Sequence, residues 1–361
     1  MSDKNLWKIS AVDAVNALKN NEVTSVELVE AAISRIEEVD DRVNALPIRC
    51  FERALRIARA FDADRLNTNK LELAGLPIAV KDYNDVGGVK TTFGSPIYSD
   101  HIPRESDATV ALLEERGALP IAKSNVPEWA GGHTFNPVHG ITRNPWNTGR
   151  SAGGSSGGSA VALATGQVWL ATGNDLGGSL RTPAGFNGVV GLRPGPGIVP
   201  RGERLQSFDS LWVEGPMGRT VADVALMLDA GSGRSLADPF SFDRPQSSYL
   251  SEIDKSSLPK RVVPQLGHAA LNENGTSPGL ASSGAVTLRC KSIDSPLFKT
   301  LCPINASPDS SCTKALQLSS ENSGESVKPA SRFPEFCILK GILVDSPGSI
   351  VAATVGTFDD R

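Results

Sequence analysis

The chain has 361 residues, 40% hydrophobic and 21% charged, with a formal net charge of −4. That is length for one large domain or two ordinary ones, and the composition of a soluble globular protein. The slight negative charge, with no dense Lys/Arg stripe, excludes the electrostatic case for a nucleic-acid partner.

The first ten residues, "MSDKNLWKIS", are charged and lack the apolar h-region of a signal peptide. No apolar run approaches the roughly 20 residues of a membrane helix. A cytoplasmic protein without a membrane partner is expected. Five cysteines, an odd number without C-x-x-C spacing, argue against a disulfide framework or a zinc ribbon. Cys50 reads as a small buried side chain or a surface thiol.

The first third of the chain reads helical. Ser10 and Asp13 have capping-box spacing for a helix through about Leu18. Thr24 and Glu27 repeat it before "VELVEAAISRIEEVD", where Val26, Val29, Ile33 and Ile36 recur as one apolar stripe. In "LAGLPIAVKD" the pattern changes. Leu76 to Val80 is a short apolar run, expected to be a buried strand ending at Lys81. "DATVALLEERGALP" predicts an amphipathic helix closed by Gly117, and "LPIAKSN" a second buried strand. This alternation argues for an α/β layered fold.

"GRSAGGSSGGSAVALATG", residues 149–166, is rich in Gly and Ser and runs into an apolar, helix-like segment. A flexible linker does not fit, because no compositional shift crosses it. A phosphate loop needs Gly-Lys after its glycines, and none follows. A catalytic role remains. Glycines let backbone approach a ligand closely and serines supply hydroxyls. "VWLATG" then predicts a buried strand running into a turn that holds Asp175, Gly177, Gly178 and Ser179. Such a turn can present a hydroxyl beside exposed backbone N–H groups, as an acyl-transfer nucleophile requires. Lys81 ends a strand too apolar for an ammonium, so burial is expected to make it a neutral base. His101, His133, His139 and His268 lack metal-ligand spacing and read as surface or lining residues. Residues 215–230 predict a helix, with Thr220 as N-cap and Asp223 three residues on. Beyond about Val262 the character changes. All five Trp and all three Tyr precede residue 250, whereas four of the five Cys follow residue 289. The Ser- and Pro-rich remainder carries no long amphipathic period.

With Lys81, "GGSSGGS" and the later "GGS" turn in hand, the chain resembles the amidase signature family over about residues 5–260. "GLPIAVKD", "PIAKSNVPEW", "RNPWNTGRSAGGSSGGSAVALATG", "NDLGGSLRTPAGFNGVVGLRP" and "GPMGRTVADVALML" stand in family order. The resemblance implies a central mixed β-sheet flanked by helices, incomplete here at the C-terminus. It implies a Ser-Ser-Lys triad, with Ser179 as nucleophile, Ser155 as bridging serine after a cis peptide, and Lys81 as base. Backbone N–H groups of Leu176, Gly177, Gly178 and Ser179 would form an oxyanion hole. Asp175 and Arg181 would brace the turn, and Ser156 would be structural. No metal or organic cofactor is implied.

Two departures stand out. Asn174 occupies a position where the family usually has Ser or Thr. Thr182 stands where glutamine-dependent tRNA amidotransferases typically carry Gln in their amidase-like component. The expected organisation is an amidase-signature domain over 1–262, with N-terminal helices in 1–70 and a catalytic α/β core in 71–262. An atypical tail over 263–361 reads as disordered or frameshifted. The leading functional expectation is hydrolysis of a small-molecule linear amide through an acyl-enzyme. The alternative is a truncated, inactive remnant, and the amidotransferase reading is disfavoured by Thr182. Oligomeric state is not readable, a homodimer being one option.

Overall fold

The computed structural model describes residues 3–202 and 208–255, with five short strand segments between residues 286 and 354. Helix α1 (Ala11–Lys19) starts at Ser10, whose hydroxyl accepts the Asp13 N–H at 3.0 Å. Helix α2 (Ser25–Val43) starts with a full capping box: the Glu27 N–H donates to Thr24 Oγ1 at 3.0 Å, and the Thr24 N–H donates to Glu27 Oε2 at 2.7 Å. Its buried face is centred on Leu28, Val29, Ala32 and Ile36. Val26 and Ile33 lie at its margin, so the stripe is turned slightly from the one the sequence suggested.

There follow β1 (Ile48–Arg49), α3 (Phe51–Ala63), α4 (Arg65–Thr68), β2 (Leu76–Lys81), α5 (Ala108–Glu115) and β3 (Ala118–Ser124). A small hairpin of β4 (Phe135–Asn136) and β5 (Gly140–Ile141) precedes α6 (Gly157–Ala164). Then come β6 (Leu170–Asp175), α7 (Arg181–Asn187), β7 (Val190–Arg193), β8 (Val213–Gly218), α8 (Val221–Gly231) and α9 (Tyr249–Lys255). Two boundaries differ from the sequence reading. Strand β6 extends through Asp175, which the sequence placed in the turn. Residues 215–218 are strand rather than helix, because "VEGPMG" is held in register opposite β6, and the helix starts at its Thr220 cap.

The main sheet runs β1-β3-β2-β6-β8-β7, with Ala352–Thr354 antiparallel on the outer side of β7. Strand β2 is parallel to both β3 and β6, whereas β6 pairs antiparallel with β8. The expected α/β fold, a mixed sheet flanked by helices, is what forms. Helices α2, α3, α6 and α8 all pack on it. Every residue of β2, β3 and β6 is buried, which is why these strands read as apolar runs rather than alternating ones. Because these three strands are parallel, their C-terminal ends share one edge. Lys81, Asn125 and the turn after Asp175 emerge there together.

Helix α6 is pinned to the same edge. The Gly158 N–H donates to Asn125 O at 3.2 Å. A Cβ on Gly158 would meet the Asn125 backbone N at 2.3 Å and O at 2.6 Å. Only glycine allows the approach that places Ser155 and Ser156 beside Lys81.

The chain divides into two units: Met1–Ser256 with Gly341–Val355, and Ser257–Lys340 with Gly356–Arg361. In the second, Val286–Thr287 pairs with Ala315–Leu316 and Cys312–Thr313 with Phe336–Cys337, both antiparallel. Apart from these short strands, the disorder or frameshift expected over 263–361 lies outside the described residues. Among the described residues no helix is long and apolar enough to cross a membrane.

Gly158→Ala is expected to cost about 1–3 kcal/mol by overpacking against backbone. Urea unfolding checks this; an unchanged midpoint would mean that α6 moves without penalty.

Candidate active site

Lys81 is the last residue of β2, and its side chain is fully buried. Its backbone N–H donates to Thr172 Oγ1 on β6 at 2.8 Å. Its Nζ lies 2.7 Å from Ser155 Oγ, 2.8 Å from Ser156 Oγ and 2.5 Å from Asn174 Oδ1. All three contacts are neutral oxygens. Burial therefore dominates and pushes the Lys81 pKa down to about 7, against the opposing pull of the Glu214 and Asp175 carboxylates.

Ser155 and Ser156 reach Lys81 because the Gly/Ser segment folds tightly under the 132–134 loop. The Gly154–Ser155 peptide bond is cis. A Cβ on Gly154 would meet Gly132 O at 2.1 Å, so this approach too is possible only for glycine. The Gly157 N–H donates to Thr134 Oγ1 at 3.0 Å. The Ser156 N–H donates to Ser179 O at 3.3 Å, which joins the segment to the second Gly-Ser turn. Ser179 is half-buried, and among the described residues its hydroxyl has no hydrogen-bond partner.

Asp175 holds that turn from beneath. Its Oδ1 accepts the Gly178 N–H at 2.8 Å and its Oδ2 accepts the Leu180 N–H at 3.1 Å. Arg181 donates to both carboxylate oxygens at 3.0 Å, and Arg193 donates to the Asp175 carbonyl. Burial pushes the Asp175 pKa up. The Arg181 hydrogen bond and charge, with the two backbone N–H groups, outweigh it and leave the carboxyl below its ordinary range. This arrangement corrects one expectation. The Gly178 N–H points at Asp175, so it is not a free oxyanion donor. The N–H groups of Leu176, Gly177 and Ser179 meet no acceptor among the described residues. Leu176 is 55% exposed, and a Cβ on Gly177 would meet nothing within 4 Å, so the outer face of the turn is open.

Two buried polar clusters flank Lys81, and the sequence reading missed both. Asp82 takes hydrogen bonds from Lys123 Nζ at 3.1 Å and Thr92 Oγ1 at 2.5 Å, and Lys123 also donates to Thr91 Oγ1 at 2.6 Å. His139 Nε2 lies 3.1 Å from Thr92 Oγ1 in this cluster; burial holds its pKa below the ordinary imidazole value despite Asp82. On the other side Glu214 accepts from Trp212 Nε1 at 3.1 Å and from Asn84 Nδ2 at 3.4 Å. Asn84 also donates to Asp107 at 2.9 Å. Burial raises the Glu214 pKa against the charges of Arg201 and Lys81. His133 bonds Ser151 at 2.6 Å, and His101 stacks in an aromatic cluster with Phe93 and Tyr98. His268 lies outside the described residues. No group of three His, Cys, Asp or Glu among the described residues could hold a metal ion.

A family profile described as Amidase matches residues 27–265. The chain belongs to the amidase family. The A-type component of the glutamyl-tRNA(Gln) amidotransferase of Moorella thermoacetica is 42% identical over 250 residues, covering 69% of this chain and 51% of that protein. The acylamidase of Rhodococcus erythropolis is 38% identical over 272 residues, covering 74% and 57%. A bacterial aryl acylamidase of the amidase signature enzymes superposes with a TM-score of 0.64 at 32% identity, covering 67% of this chain and 51% of that one. The chain thus spans about half the length of the curated relatives it matches.

The buried amine has a thermodynamic consequence. The Lys81 pKa is about 7 when folded against 10.5 as the ordinary value. Between those values the unfolded chain holds the extra proton, so this group adds stability as pH rises through the window. Wild type is expected to gain on Lys81→Met by at most about 1.4 kcal/mol per pH unit across it. Urea unfolding at several pH values checks this; a constant difference would mean that Lys81 stays charged.

Proposed function

We propose that the chain hydrolyses a small-molecule carboxamide through Ser179, Ser155 and Lys81. The observation that carries this reading is a fully buried Lys81 amine, in contact only with neutral groups, at hydrogen-bond distance from Ser155. With its pKa lowered to about 7, such an amine is in part neutral at pH 7 and then has a lone pair to accept a proton.

The Ser179 oxygen attacks the carbonyl carbon as its proton passes to Ser155 Oγ and the Ser155 proton passes to Lys81 Nζ. The carbonyl π pair becomes the oxyanion, and the N–H groups of Leu176, Gly177 and Ser179 are the donors proposed to receive it. The oxyanion collapses and the C–N bond breaks. The leaving nitrogen takes a proton from Ser155, which recovers one from the Lys81 ammonium. An amine and an acyl-Ser179 ester result, and water attacks the ester by the same proton route. Asp175 and Arg181 keep the turn in shape and touch no reacting atom.

The identity to the glutamyl-tRNA(Gln) amidotransferase component favours a second reading, in which the chain works as part of such an assembly. Thr182 weighs against it. Amide hydrolysis, read as amine release, by the purified chain alone separates the two.

A fluorophosphonate probe is expected to label Ser179 in the purified full chain, and Ser179→Ala to abolish labelling. Lys81→Ala should slow it on the order of 10²-fold or more, the scale of a lost general base. Labelling at the wild-type rate in Lys81→Ala would rule out the lysine base; absence of labelling in wild type would favour the inactive remnant.

A further inference from the structure

The third group on the Lys81 nitrogen has no part in the proton path above. Asn174 is buried on β6, and its Oδ1 lies 2.5 Å from Lys81 Nζ. Its Nδ2 is buried as well, with no hydrogen-bond partner among the described residues. The side chain therefore makes a single polar contact, and that contact is with the amine.

Counting hydrogens gives the contact its meaning. A neutral amine has two N–H bonds and one lone pair. An amide oxygen has no hydrogen to give, so Asn174 can only receive an N–H. Two hydroxyls, Ser155 and Ser156, remain for the second N–H and the lone pair. One serine accepts, and the other must donate to nitrogen. With an apolar group in place of the carboxamide, both N–H bonds can turn to the serines, and the lone pair then faces no hydroxyl proton.

We infer that Asn174 is a positioning residue whose carbonyl claims one N–H of the Lys81 amine and thereby turns the lone pair toward the serine hydroxyls, of which Ser155 is the donor in the proton path above. The inference rests on the Ser-Ser-Lys reading above. Other charges act on the same amine. Glu214 on β8 stands in register opposite Asn174 and is faced by Arg201, and Asp175 on β6 is faced by Arg181 and Arg193. Asp82, which follows Lys81 just past the end of β2, is paired with Lys123. None of these changes in the variants below.

The test uses the full chain with 13Cε-labelled lysine. The Lys81 signal is assigned by its loss in Lys81→Met and titrated by NMR, in parallel with the pH profile of fluorophosphonate labelling. Asn174→Asp keeps the shape and adds a charge. It is expected to raise the Lys81 pKa by about one unit or more, to slow labelling about tenfold at pH 7, and to recover as pH rises. Asn174→Leu removes the acceptor. It is expected to lower the Lys81 pKa and to slow labelling at every pH without recovery. Should Asn174→Leu fail to fold, the isosteric Asn174→Asp decides alone. An unchanged Lys81 titration in Asn174→Asp overturns the inference, whatever the labelling rates. If Lys81→Ala labels at the wild-type rate, the lysine-base reading falls instead, and the titration still decides whether Asn174 holds the amine.

Discussion

A lysine amine kept out of water at the end of the central strand sets the terms for everything around it. An isolated buried ammonium is too costly to keep, so the group must either find a carboxylate in contact or give up its proton. Two lysines face that choice, one strand apart. Lys123 on β3 takes the first course, with Asp82 at 3.1 Å. Lys81 has no carboxylate in contact, only two hydroxyls and an amide oxygen, and its pKa falls to about 7. Glu214 and Asp175 act on it only from beyond contact, which keeps its pKa from falling further. The neighbours decide which of the two lysines is ion-paired and which meets only neutral oxygens.

Those neighbours arrive by topology. Strands β2, β3 and β6 are parallel, so their C-terminal ends meet at one edge, where open α/β sheets place their ligands. Strand β2 delivers Lys81, β6 delivers Asn174 and the Ser179 turn, and the chain after β3 receives the start of α6 with Ser155 and Ser156. A close backbone approach at Gly158 fixes the last of these. Antiparallel β8 then adds Glu214 across from Asn174. The fold collects these polar groups from four separate stretches of chain without any long-range side-chain search.

Much of this was legible in the sequence. Apolar runs marked β2, β3 and β6 because strands buried on both faces lose their alternation. Ser10, Thr24 and Thr220 marked helix starts because capping is a local event. Strand β8 was not legible: "VEGPMG" lacks β-propensity and is a strand only because β6 and β7 lie on either side. The same limit applied to the site. Lys81 stood out through the apolarity of its own strand, yet "LPIAKSN" carries that signal equally. Only tertiary contacts separate Lys81 from Lys123. Asp175 was expected to brace the turn and does so, but that it would occupy the Gly178 N–H depends on a carboxylate orientation no spacing encodes.

The groups proposed to move protons, Lys81, Ser155 and Ser179, all lie inside the segment matched by the family, residues 27–265. So do Asn174, Glu214 and Asp175, which act on them. Within that segment the polar groups around Lys81 are buried and hydrogen-bonded to one another, whereas Leu176 in the turn before Ser179 is an exposed large apolar residue, as are Phe186 and Trp146. Buried groups can be exchanged only at the cost of unpaired charges and donors, which ties the proton chemistry to the fold. Exposed apolar groups carry no such penalty. The constraint on the proton chemistry proposed for Lys81 and the constraint on the exposed apolar surface therefore reside in physically different parts of this chain.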